Sequence, residues 1–271
     1  MIATDFKYDN EKLSDYQLML CEFDSNGSNT ISIGNNLTFN TLQPSGSDKS
    51  ILANAKYNED SVLTVKLQVC KNTCLQIADS IISLDEISYI TRWLGRKEYH
   101  EFRIYQDEYE GIFFNGSFNN FNAITVDGKI YGLEFTFVAD SPYGYLDTVS
   151  LDFTTTANVS YDITNLSHET GLLYPKKFTC KCLTGGNLEI YNSIEDRKTV
   201  INNCIEDEII SLEGEKKIIE SNVKTHLLYN DFNYKYFRLA NSYYNNINSI
   251  TTSLPCEIHI EYNPIRKVGI V

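Results

Sequence analysis

SLDEISYITRWLG, residues 83–95, runs straight into RKEYHEFRIYQDEYEGIFFNGSF, residues 96–118, and the reading of this stretch decides the fold. Ser83, Leu84, Asp85 and Glu86 spell an S-x-x-E capping box, in which the Ser hydroxyl and the Glu carboxylate each satisfy a backbone N–H orphaned at a helix start. A helix therefore begins at Ser83. Leu84, Ile87, Ile90 and Leu94 then recur at spacings of three and four, a single apolar stripe, with Arg92 and Lys97 near the negative end of the dipole. Gly95 is placed to end the helix in a left-handed cap. Beyond it, two aromatic segments, Glu101–Tyr105 and Gly111–Phe118, flank the acidic turn Gln106–Glu110, a hairpin pattern expected to lie against the helix.

Working outward, 271 residues suffice for two ordinary domains, each with its own core. Tyr (19) and Phe (14) far outnumber Trp (1) and Met (2), and the apolar residues fall in short runs, so the chain reads as mainly β. A net charge of −13 argues against a surface that neutralises phosphates. The first residues lack the charged head and apolar core of a signal peptide, and no run approaches the ~18 apolar residues of a membrane span. A soluble chain made in a cytoplasm is expected, with no membrane insertion. The seven cysteines are then expected to be reduced, because their number is odd and nothing marks export. Cys180 and Cys182 share a strand face with Phe178, where thiols pack as small apolar groups. Cys70-x-x-x-Cys74 has loose metal spacing without a second close pair or a partnered His, so no metal is expected there.

Along the chain, Asp15–Phe23 is apolar enough to pair inside a sheet. Thr30–Ile33 and Leu37–Phe39 flank a turn at Gly34–Asn36, and Gln43–Ser50 reads as a loop and a candidate docking element. Val62–Val69 alternates, with Leu63, Val65, Leu67 and Val69 on one face. Val126–Ile130 carries the Asp-Gly pair of a tight hairpin, followed by Tyr131, Leu133, Phe135 and Phe137 along one face. Asp140–Tyr145, with Pro142 and Gly144, interrupts the pattern. We place the domain boundary there: an N-terminal domain at 1–142 and a C-terminal one at 143–271. In the second, Val159–Ile163, Lys177–Leu183, Asn187–Tyr191, Thr199–Cys204, Glu208–Leu212, Lys216–Glu220 and Cys256–Tyr262 are short strands at the spacing of a sandwich.

No catalytic signature is present: neither a G-x-S-x-G elbow, nor a P-loop, nor H-E-x-x-H, nor a dinucleotide glycine fingerprint. His100, His168, His226 and His259 read as surface or hydrogen-bonded residues. The groups Asp107-Glu108-Tyr109-Glu110 and Glu206-Asp207-Glu208 are adjacent in sequence and read as solvated faces rather than paired catalytic carboxylates. Tyr229, Phe232, Tyr234, Tyr236 and Phe237 invite a sugar-stacking reading, but most are expected in the core. No catalytic residue, cofactor or metal ligand is assigned, and the chain is not expected to be an enzyme.

The segment of residues 83–118, followed by KIYGLEFTFVADSPYGY (129–145), resembles the N-terminal domain of the distal tail protein (Dit) family of long, non-contractile-tailed phages, the siphophages. LYPKKFTCKCLTGGNLEIYNS (173–193), HLLYNDFNYKYFRLANSYYNNINSIT (226–251) and LPCEIHIEYNPIRKVG (254–269) are similar to the galectin-like second domain of that family. The resemblance implies a mainly β fold: a ring-forming β-barrel or sandwich-like domain with one α-helix, then a galectin-like β-sandwich. It implies a structural protein of the virion tail tip, assembled in the host bacterial cytoplasm. The expected assembly is a homo-hexameric ring joining the tail tube to the tip or baseplate hub. Its partners would be the major tail protein and the tail-associated hub protein, in some relatives also receptor-binding proteins, with DNA passing through but not stably bound. The alternative is a carbohydrate-binding adhesin module at the host surface. A β-sandwich glycosidase is a more distant third.

Overall fold

The capping box forms as written. The Ser83 N–H donates to Glu86 Oε2 at 2.7 Å, the Glu86 N–H donates to Ser83 Oγ at 3.2 Å, and the helix runs Leu84–Leu94. Burial pushes the Glu86 carboxyl up, but Lys71 at 2.8 Å and the Ser83 groups outweigh this and hold it below its usual value. The computed structural model describes residues 3–23, 37–57, 63–72 and 80–268. The sequence stretches Thr30–Ile33 and Gly34–Asn36 lie outside the described residues, as does Cys74.

Two features of the helix differ from the expected ones. Leu84 is 77% exposed, and the buried face is Ile90, Trp93 and Leu94. At about 100° per residue, Leu84 has turned roughly 120° away from Ile90 while Trp93 lies only about 60° to the other side. Gly95 is not left-handed: its φ is −79° and its ψ 42°. A glycine is needed there because a Cβ would lie 2.6 Å from the Thr91 carbonyl oxygen. The helix end is completed by Arg96, whose Nε donates to the Trp93 carbonyl at 2.9 Å.

The chain divides into two compact units, one spanning Met1–Tyr145 and taking in Lys267–Val271, the other spanning Leu146–Arg266. In the first unit an antiparallel sheet has the order Glu11–Lys12, Phe6–Tyr8, His100–Ile104, Ile112–Val126, Lys129–Ala139, Thr64–Lys71, Leu18–Cys21. Leu18–Cys21 stands last in this order among the described residues, with the Leu20 N–H donating to the Thr4 carbonyl at 2.9 Å, and is preceded by a 3₁₀ turn at Leu13–Tyr16. The acidic turn after His100–Ile104 is also 3₁₀, Asp107–Tyr109, and it buries Tyr109 while its carboxylates stay exposed. Ile112–Val126 is longer than the sequence suggested because register shifts at Asn119/Asn122 and Ile124/Thr125 absorb the pattern break. At its end Asp127 (φ 51°) and Gly128 (φ 71°) make the two-residue turn that the Asp-Gly pair demands.

The first core is aromatic. Phe6, Phe102, Phe135 and Phe137 are fully buried, and Phe118 meets Tyr8, Phe102, Phe135 and Phe137 with centroids 4.9–5.7 Å apart. Each such ring contributes about 1.5–3 kcal/mol by leaving water. Leu63, Val65, Leu67 and Val69 line the same core, as their alternation requires.

The second unit contains two antiparallel sheets. One has the order Val149–Thr155, Cys256–Tyr262, Lys177–Cys182, Ile209–Glu213, Ile218–Ser221, the other Ser160–Thr164, Ile247–Thr252, Gly186–Asn192, Arg197–Cys204. Phe178, Ile210, Leu212, Ile258 and Ile260 of the first share one core with Leu188, Ile190, Ile201 and Ile250 of the second. Asn248 is fully buried and fully engaged: it accepts from the Ala240 N–H and from Asn192 Nδ2, each at 2.7 Å, and donates to the Ala240 carbonyl at 3.0 Å. This holds the short strand Leu239–Asn241, which pairs with Gly171–Leu173.

Candidate assembly surface

The run Gln43–Ser50 is a loop, as its Pro44 and Gly46 suggest. It connects Leu37–Leu42 to Ile51–Tyr57, which pair as a two-stranded ribbon and with no further strand among the described residues. The register puts Leu37, Phe39, Ala55 and Tyr57 on one face and Thr38, Asn40, Asn54 and Lys56 on the other, where Asn40 Nδ2 donates to Asn54 Oδ1 at 2.6 Å. At the tip Leu42 opposes Ile51. Phe39, Leu42, Ile51 and Leu52 are each 55–66% exposed. A two-stranded ribbon gains little by itself in water, and large apolar side chains on it mark a surface that gains by being covered.

The residues of the second unit that suggested chemistry fall into place differently. Glu206 and Asp207 are exposed, but Glu208 is not a solvated group: it is fully buried. Its carboxylate accepts from the Ser221 hydroxyl at 2.5 Å and from the Ile205 N–H at 3.0 Å, and lies 2.6 Å from His226 Nδ1. Burial pushes this carboxyl up, and the Ser221, His226 and Ile205 bonds outweigh it and hold it below the usual range. A serine, a histidine and a carboxylate thus meet, but the hydroxyl points at the carboxylate. The other ring nitrogen of His226 lies 2.9 Å from the Asn202 carbonyl. With both nitrogens engaged, the ring does not serve the hydroxyl as a base; the cluster ties Asn202 and Ser221, on two strands, to Glu208 and His226.

His259 stands on the outer face of its strand between Glu261 and Asp152, each at 2.7 Å, and these carboxylates push its pKa up. His168 is exposed beside Arg266. In the first unit His100 packs edge-on against Tyr8. Of the aromatic run, Phe232, Tyr236 and Phe237 are core, whereas Tyr229 and Tyr234 are exposed and joined by a bond from the Tyr234 hydroxyl to the Tyr229 carbonyl. Phe232 is placed in the core by a bridge to Ile201, which sequence periodicity does not reveal. Cys180 and Cys182 are buried on the Phe178 face, and Cys70, Cys180, Cys182, Cys204 and Cys256 are free thiols. No helix among the described residues is long and apolar enough to cross a membrane.

Residues 1–141 match the family described as the phage tail protein N-terminal domain, and residues 143–262 the family described as the phage tail C-terminal domain. No curated protein sequence matches the chain. Among solved structures, the Dit protein of phage SPP1, titled a paradigm of hub adsorption apparatus in Gram-positive-infecting phages, superposes with a TM-score of 0.64. The superposition covers 97% of this chain and 99% of that one, at 12% identity. The phage P2 baseplate in its activated conformation with Ca gives a TM-score of 0.46 at 8% identity, over 97% and 98% of the two chains. With family matches across both of its halves and the fold of SPP1 Dit, the chain belongs to the phage tail protein family.

Proposed function

We propose that this protein is a distal tail protein, six copies of which close into a ring between the end of the tail tube and the hub of the tip or baseplate. The first domain, taken as residues 1–142, builds the ring. The second, residues 143–271, is a galectin-like sandwich that offers surface for peripheral tail proteins. The observation that carries the reading is the amphipathic ribbon of Leu37–Leu42 and Ile51–Tyr57. A closed ring of identical subunits uses head-to-tail contacts, in which a projecting element on one copy meets a receiving patch on the next. Covering Phe39 and Leu52, which lie on one face of the ribbon, in that way contributes about 1.5–3 kcal/mol per side chain.

The charge supports the same reading. Six copies at −13 each carry about −80, which favours passage of DNA over its retention. The test is the mass of the purified protein in solution, by light scattering or native mass spectrometry. A six-fold species that dissociates when Phe39 and Leu52 are replaced by Ser supports the ring. A monomer that binds cell-wall polysaccharide would move the assignment to a surface adhesin.

A further inference from the structure

The core of the second unit contains a group of side chains that the ring does not use. Cys180 and Cys182 point inward from one strand, and Cys256 stands on the neighbouring strand directly opposite Cys182. All three residues are fully buried, and their Sγ atoms lie within 4.8 Å of one another. Cys204, the last residue of Arg197–Cys204 in the facing sheet, brings a fourth buried thiol against that of Cys182. A tetrahedral zinc ion with Zn–S bonds near 2.3 Å needs its sulfurs about 3.8 Å apart, a spacing that the Cys180, Cys182 and Cys256 sulfurs, all within 4.8 Å of one another, accommodate.

Metal binding to such thiols requires their deprotonation, so uptake of a divalent cation by this cluster releases protons and is coupled to folding.

We propose that Cys180, Cys182 and Cys256, with Cys204 as fourth donor, form a structural zinc site that pins the two sheets of the second unit together. Binding forms four zinc–sulfur bonds and breaks four S–H bonds, releasing four protons to solvent. Because the sulfurs are buried, the ion is taken up as the unit folds and leaves only when it unfolds.

The experiment uses the full chain, produced in zinc-supplemented medium, with elemental analysis of the purified protein. One zinc ion per chain is expected, retained against a chelator in buffer and released with the same chelator in denaturant. Cys182→Ser and Cys256→Ser should lose the ion, and Cys70→Ser should keep it. Should the core variants fail to fold, wild type refolded from metal-free denaturant with Co²⁺ decides the matter through a thiolate-to-cobalt charge-transfer band and tetrahedral d–d absorption. Folded wild type without zinc, refolding with Co²⁺ without that band, or zinc content unaffected by Cys182→Ser and Cys256→Ser would each overturn the assignment.

Discussion

The indole Nε1 of Trp93 donates to the backbone carbonyl of Tyr8 at 3.1 Å, joining residues 85 apart in sequence. The same indole stacks on Phe6 and on Tyr16, at centroid distances of 5.7 and 4.7 Å. The helix is therefore held to the first sheet by its one Trp as well as by Ile90 and Leu94. Ile90→Asp places an unpaired carboxylate in this contact and should cost several kcal/mol, about 3 or more. Leu84→Asp, on the exposed side of the same helix, should fall within about 0.5 kcal/mol. Chemical denaturation of the two variants checks the pair; equal midpoints would detach the helix from the core.

Glu208 predicts an acid-sensitive second unit. Its folded pKa is lowered, so the stability it contributes is fully present above the unfolded value, about 4.3, and is lost as pH falls through the folded value. Glu208→Gln should lower stability at neutral pH by about 1–3 kcal/mol, since a buried acceptor for Ser221 and His226 is removed. Across the acid range the variant should lose less further stability than wild type. Parallel thermal melts between pH 3 and 7 would show this, and identical slopes would contradict it.

His259 carries the opposite sign. Its pKa is raised by Glu261 and Asp152, so the stabilisation is present below the unfolded value near 6.5 and lost as pH rises through the folded one. An imidazole titration by NMR should find the midpoint above about 6.5 in wild type and lower in Asp152→Asn. An unshifted midpoint would mean that the ring does not rest between its carboxylates in solution.

The thiols should be unpaired. After denaturation with a chelator and without reductant, alkylation should block all seven, and a stable pair such as Cys180 with Cys204 would defeat the reduced assignment.

DNA should not adhere to the assembled protein. At physiological salt no tight complex is expected by electrophoretic shift, because the basic residues occur only as scattered pairs such as Arg96-Lys97 and Arg266-Lys267. Tight binding would place a basic lining where the ring account requires an acidic or neutral one.

Local signals carried much of the fold into the sequence. The Ser83 box, the alternation through Leu63–Val69, the Asp127-Gly128 turn and the strand Cys256–Tyr262 are short-range patterns, and the chain follows them. The rest depends on partners distant in sequence. Glu208 looked solvated because Ser221 and His226 are not its sequence neighbours, and the Cys182–Cys256 pairing is a matter of register between strands about 70 residues apart. Leu37–Phe39 is legible as extended, but its pairing with Ile51–Tyr57 is not, because the apolar residues of Ile51–Tyr57 face outward, which periodicity alone does not distinguish from a buried edge.

The strand pairings also impose an order in time. Phe6–Tyr8 pairs at once only with the two-residue Glu11–Lys12 and lacks its other partner until His100–Ile104 has been synthesised, and Val149–Thr155 must wait for Cys256–Tyr262. Both sheets thus depend on closing loops of about a hundred residues, the kind of contact that slows folding most. During translation at about 5–20 residues per second, the first strand of each unit stays without its long-range partner for several seconds. Mature subunits therefore accumulate at a pace set by topology, and an exposed Phe39 on an unfinished chain would be a site where nascent copies stick to one another before either has a sheet to stand on.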